Sequence, residues 1–176
     1  MKEKYYITTA IPYTSGKPHI GNTYEMILTD CIARYKRLCG YDVLFLTGAD
    51  EHGQKIELAA AEKGVTPQEY VDNITGEMKK IWEKMNISYD RFIRTTDDYH
   101  VKAVQKIFKK LYEAGFAKRI EMPVNWCEAL GTVLSNDEVI DGKSERGGYP
   151  VEKRMMMQWV IDQPAFAEKL LEGLNE

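Results

Sequence analysis

Cysteine is scarce: Cys31, Cys39 and Cys127 are the only three in 176 residues, an odd number at unrelated spacings. That excludes a disulfide framework and fits reduced thiols in a cytoplasmic protein. No apolar run approaches the roughly 20 residues of a membrane span, and Met-Lys-Glu-Lys leads straight into a strand with no signal peptide, so no membrane partner is expected. Neither sign of charge dominates: 24 basic against 27 acidic residues give a net charge of −3. The chain as a whole therefore has no nucleic-acid footprint, and such a partner would need a local basic patch. Repeats and low-complexity segments are missing. So are the dinucleotide GxGxxG and the phosphate loop GxxxxGK[ST]. What remains is 44% hydrophobic and 29% charged, enough for one globular domain and a small insert.

The informative stretch runs from Tyr5 to Glu57. Tyr5 to Ile11 is apolar and β-branched enough for a buried strand. Pro12, Gly16 and Pro18 break it, and a helix restarts near His19 or Ile20. Tyr24, Ile27, Leu28, Cys31, Tyr35 and Leu38 then recur at helical spacing, with Gly40 placed to cap. Val43 to Leu46 is a second short strand ending at Thr47 and Gly48. Two strands joined by such a helix form a βαβ unit and should be parallel. The fold class is therefore α/β, with a Rossmann-like parallel sheet.

Further on, Gln54 to Lys63 reads as an alanine-rich helix stopped by Gly64. Thr66-Pro67-Gln68-Glu69 is a capping box with proline in the first turn. Tyr70, Ile74, Met78, Ile81 and Met85 form the apolar stripe of the helix that follows, with Trp82 beside it. A short strand is expected at Phe92-Ile93. Asp97 to Ala114 is amphipathic, with Val101, Val104, Ile107, Phe108 and Leu111 inward. From Phe116 the texture changes: Val124 to Trp126 and Thr132 to Leu134 suit short strands, and Lys143 to Gly148 a charged turn. Val151 to Ile161 fits a strand or a helix. Pro164 opens a final helix with Phe166, Leu170, Leu171 and Leu174 on one face. The division expected is 1–118 for the part with the parallel sheet and 119–176 for a small β-containing segment with its helix.

Both strand-to-helix turns fall at the edge where parallel sheets bind ligands. The first holds His19-Ile20-Gly21-Asn22. Gly21 lets a flat ligand approach the backbone, the helix start offers N–H groups to phosphate, and His19 can donate to a phosphate oxygen. The second holds Gly48 to Gly53, where the Asp50 carboxylate suits an amine. Asp50, Glu51 and His52 together could suggest a metal site, but adjacent residues point apart. Ala10, Ile11 and Tyr13, at the strand end, can form an apolar wall. Lys106, Lys109 and Lys110 make a solvated helix face with nucleic-acid contact as the alternative.

AIPY, GKPHIGN and GADEHGQKIE resemble the signatures of class I aminoacyl-tRNA synthetases, the methionyl type in particular. The fourth position of the HIGH-type signature is Asn22, which keeps a donor. The resemblance implies ATP-dependent activation of methionine and its transfer to tRNA. His19 and Asn22 would contact ATP phosphates as catalytic residues, with Gly21 and Lys17 also at ATP. Ala10, Ile11, Tyr13 and Asp50 would bind the amino acid, and Mg²⁺ would travel with ATP. From VNWCEALGTVLSNDEVIDGKSERGGYPVEKR onward the chain resembles the connective region of leucyl-tRNA synthetases, with a seam between Leu111 and Arg119; leucine is thus the alternative substrate.

Two expectations follow from motifs that such enzymes have and this chain does not. Without KMSKS, donors reach the phosphates from one side only, so adenylate formation should be slow and the open cleft should favour self-association. Without paired cysteines beside Cys127, no zinc is predicted. A binding module without turnover and a designed fold specimen are the rival readings.

Overall fold

The computed structural model describes residues 2–175. The chain divides into two compact units, Met1–Val101 and Lys102–Glu176. In the first, β1 (Lys4–Thr8), α1 (Ile20–Leu38), β2 (Asp42–Ala49), α2 (Gln54–Glu62), α3 (Pro67–Lys84) and β3 (Arg91–Arg94) follow in sequence. The sheet order is β1-β2-β3, parallel throughout, with Ile7 opposite Phe45 and Gly48 opposite Ile93. This is the α/β arrangement expected.

β1 ends at Thr8, short of the expected Ile11. Thr9 N–H still reaches Leu46 O at 3.2 Å, but the next free amide, that of Ala10, donates to Glu25 Oε1 on α1 at 2.6 Å. Pairing resumes as a single bridge at Tyr13 and Asp50.

The core lies on one side of the sheet, where Phe45 and Ala49 of β2 meet Met26 and Ala33 of α1 and Met78 and Trp82 of α3. A second cluster joins Ile56 and Ala60 of α2 to Tyr70, Val71 and Ile74 of α3. Thr66 caps α3 in a capping box with Glu69, Pro67 taking the first turn as its fixed φ allows. α1 buries Met26, Thr29, Asp30 and Ala33. Its helically spaced apolar residues face outward instead: Tyr24 is 70% and Leu38 88% exposed. Asp30 can be buried because Arg34 Nε (2.7 Å), Ser88 N–H (2.7 Å) and Ser88 Oγ (2.5 Å) all donate to it.

α4 (Asp98–Glu113) begins in the first unit and runs into the second. The second unit then has β4 (Ala117–Cys127), β5 (Thr132–Leu134), β6 (Val139–Ile140), β7 (Lys143–Ser144), β8 (Glu152–Ile161) and α5 (Ala167–Glu172). Its sheet is antiparallel in the order β5-β4-β8, with β6 and β7 pairing apart. β4 is far longer than the expected Val124–Trp126 because ten of its residues pair with β8. The ambiguous run from Val151 resolves as strand: Met155 and Met157 are exposed while Met156 between them is half-buried, a period of two. The inward stripe expected on α4 is corrected in part, since Val104 and Ile107 are 50% and 60% exposed. Phe108 and Tyr112 instead meet Trp159 edge-on, with centroids 5.0 and 5.8 Å away. The final helix opens as a 3-10 turn at Pro164–Phe166, where Phe166 packs on Phe116.

Candidate active site at the strand ends

The first turn is organised by an imidazole. His19 is the N-cap of α1, in extended backbone, and its Nδ1 accepts the Gly21 N–H at 3.1 Å. In return the His19 N–H donates to Asn22 Oδ1 at 3.1 Å. Two of the helix's orphan donors are thereby used, and the functional groups are sorted. With Nδ1 accepting, the neutral ring carries its proton on Nε2, which remains a donor. With Oδ1 of Asn22 committed, its amide NH₂ remains a donor too. A Cβ on Gly21 would stand 3.0 Å from His19 Cε1 and 3.1 Å from Nδ1. A side chain at this position would have to push the capping imidazole aside by a few tenths of an ångström.

Lys17, in the same turn, is drawn elsewhere. Its Nζ sits 3.2 Å from Glu77 Oε2 on α3, while Tyr70 OH, also on α3, donates to Ser15 O at 3.2 Å. α3 therefore holds the turn at two points.

The second turn is tied to the strand end by backbone. Asp50 N–H donates to Pro12 O (2.9 Å), and both Thr14 N–H and Thr14 Oγ1 donate to Asp50 O (2.9 Å each). These bonds put Tyr13 and Asp50 side by side. Burial, and then the nearby Asp50 charge, raise the Tyr13 hydroxyl above its ordinary pKa, so it stays protonated and able to donate. Gly53, at φ 124°, lies beneath this ring; a Cβ there would come within 2.8 Å of Tyr13 Oη. Ile11 packs against Gly48, where an added Cβ would stand 3.1 Å from Ile11 Cγ2. Ala10 is exposed with its amide on Glu25. Among the described residues the Asp50 carboxylate makes no hydrogen bond or ion pair. It is a partly buried acid with free lone pairs.

Sequence reasoning missed four residues around the second turn. Glu51, buried, is held by Thr75, Arg94 and Thr96. The only local signal was its place between Asp50 and His52, since its partners lie 24 to 45 positions away. Among the described residues no group of three or more His, Cys, Asp or Glu side chains is placed to hold a metal. A concavity of about 730 Å³ opens elsewhere, beside Arg34, Arg37, Ser88 and Asp90. Its guanidiniums are already paired with Asp30 and Asp90, so it offers no free positive charge.

The family model of "tRNA synthetases class I (M)" matches residues 5–154. The chain belongs to that family. Similar class I synthetases include the methionine–tRNA ligase of Clostridium tetani, 48% identical over 99% of this chain and 27% of its own length. That of Enterococcus faecalis is 62% identical over 99% of this chain and 28% of its own. Among solved structures, Mycobacterium tuberculosis methionyl-tRNA synthetase in complex with methionyl-adenylate superposes with a TM-score of 0.85 at 36% identity, covering 98% of this chain and 35% of that one. A LeuRS of Agrobacterium radiobacter K84, in a ternary complex with tRNA and LeuAMS, superposes with a TM-score of 0.83 at 34% identity, over 99% of this chain and 23% of that one. This synthetase chain thus spans about a quarter of the length of the ligases it matches. No helix among the described residues is long and apolar enough to cross a membrane.

Proposed function

We propose that the chain provides one part of a methionyl-type synthetase site, binding ATP and methionine for adenylate formation and subsequent transfer to tRNA. The observation that carries this is the sorting of donors and acceptors at two neighbouring strand ends. The first turn presents the His19 Nε2–H and the Asn22 amide, both donors suited to phosphate oxygens. The second presents the unengaged Asp50 carboxylate, suited to an ammonium, beside the protonated hydroxyl of Tyr13. In the reaction, the methionine carboxylate oxygen bonds to the α-phosphorus of ATP and the bond to the β-phosphate oxygen breaks, releasing pyrophosphate. His19 and Asn22 stabilise the negative charge that builds on the phosphates. Gly21 gives the nucleotide access to the backbone. Asp50 fixes the amino group, and Ala10, Ile11 and Tyr13 line the side-chain pocket. Lys17 joins the phosphates once released from Glu77. Mg²⁺ arrives with ATP.

In this reading residues 1–118 serve the nucleotide-binding part and 119–176 the connective part, and the protein works in the cytoplasm. The methionine ligases that run through the tail support a single methionyl-type chain. The leucyl synthetase neighbour superposes over 99% of this chain, front and tail alike, and so does not set the tail apart as leucyl-like. The outward apolar residues of α1 support self-association.

ATP–pyrophosphate exchange, run with methionine and with leucine, tests the proposal. Methionine-dependent exchange is expected. Leucine-dependent exchange well above it would overturn the substrate assignment, and ATP binding with no exchange would make the chain a binding module.

A further inference from the structure

Glu51 stands between the two residues of the second turn that reach outward, Asp50 and His52, yet its own side chain is 0% exposed. Its Oε1 accepts from Thr75 Oγ1 (2.5 Å) and Arg94 Nε (2.8 Å), and its Oε2 from Arg94 Nε (3.0 Å) and Thr96 Oγ1 (2.5 Å). Its backbone N–H donates to Thr95 Oγ1 at 2.9 Å, and His52 Nε2 lies 3.1 Å from Thr95 O. One carboxylate thus gathers three pieces of chain: the turn after β2, the middle of α3, and the residues at and beyond the end of β3. Arg94 is held in turn by Asp72 of α3 at 2.5 Å. Burial works against the Arg94 charge, but the hydrogen bonds it donates to Glu51 and Asp72 outweigh that and keep the guanidinium ionised. A buried carboxylate with this many donors is fixed in place, because any displacement strands a charge without partners. Neighbouring side chains in extended backbone point to opposite sides, so an inward Glu51 turns Asp50 outward.

We propose that Glu51 is a positioning residue for the amino-acid end of the site, its clamp to Thr75, Arg94 and Thr96 aiming the Asp50 carboxylate at the substrate ammonium. This rests on the assignment of Asp50 made above. Three variants test it: Glu51→Gln, which keeps shape and loses charge, Thr75→Val, which removes one donor only, and Arg94→Lys, which keeps charge and loses the fork. Amide hydrogen exchange is measured with calorimetric titrations of methionine and of ATP. In Glu51→Gln, exchange at residues 50–53 should accelerate at least tenfold while α1 and β2 amides hold. Methionine affinity should fall about tenfold and ATP affinity stay within twofold. Thr75→Val and Arg94→Lys should show the same pattern, weakened, and they carry the test if Glu51→Gln does not fold. Unchanged exchange at 50–53, or equal losses of methionine and ATP affinity, would overturn the proposal. If the unaltered chain binds no methionine, the assignment of Asp50 fails, while the exchange pattern still decides whether Glu51 clamps the turn.

Discussion

His19 Nδ1 accepts the Gly21 amide at 3.1 Å, and that bond gives one side chain two separable jobs. It caps α1, and it leaves Nε2–H free for a phosphate. A His19→Ala change should therefore cost about 1 kcal/mol of stability through the lost cap and also abolish pyrophosphate exchange. His19→Asn restores a capping side chain without the imidazole. Its melting temperature should return toward that of the unaltered chain while exchange stays absent, by thermal denaturation and exchange assay together. Recovered exchange in His19→Asn would show that the imidazole serves only as a cap.

Asp50 is held by its backbone, not its side chain: Pro12 O and Thr14 take its N–H and C=O. Asp50→Asn should leave the melting temperature unchanged. Methionine binding should weaken by roughly 1.5–3 kcal/mol, the worth of a hydrogen bond to a charged group. Calorimetry at one ionic strength for both proteins checks this, and equal affinities would reduce Asp50 to a turn residue.

The Lys17–Glu77 pair is solvent-accessible, with side chains 72% and 45% exposed. Exposed pairs contribute about 0–1 kcal/mol, so Glu77→Gln should barely move stability. What it should change is availability: Lys17 loses its competitor, and ATP binding should tighten a few-fold at low salt, less so at high salt. ATP titrations of Glu77→Gln at two salt concentrations, with Lys17→Ala in the same background as control, measure this. No tightening would leave Lys17 a tether between the turn and α3.

How far the sequence could be read depended on how local the deciding contacts are. The start of α1 was visible from the breaks at Pro12, Gly16 and Pro18, and that of α3 because Thr66 and Glu69 are three positions apart. The parallel β1-β2-β3 order followed from short strands separated by helices. β8 was ambiguous because three consecutive methionines suit either period, and only pairing with β4 chose. The buried side of α1 was hidden for the opposite reason. Its apolar spacing picked out Tyr24, Leu28 and Tyr35, whereas the packed side includes Asp30, whose burial rests on Arg34 one turn away and on Ser88 from 58 positions away. Glu51 was hidden in the same way, read as part of a polar turn until Thr75, Arg94 and Thr96 closed around it.

Asp30 also makes stability depend on acid. Burial alone would raise its carboxyl pKa, but hydrogen bonds from Ser88 and Arg34, helped by the Arg34 charge, outweigh burial and hold it below the ordinary 3.8. A folded-state pKa below the unfolded one means the unfolded chain binds the proton first as pH falls. The stabilisation is therefore complete above the unfolded value and drains away below about pH 4, as pH drops through the folded one. Asp30→Asn keeps the shape but loses the charge that Arg34 Nε and the two Ser88 donors converge on. Melting temperatures of the two proteins should differ most near pH 6 to 7, and the gap should shrink steadily as pH falls below about 4. A gap that held constant down to pH 2 would mean that the α1-to-Ser88 tie rests on packing, with no contribution from the Asp30 charge.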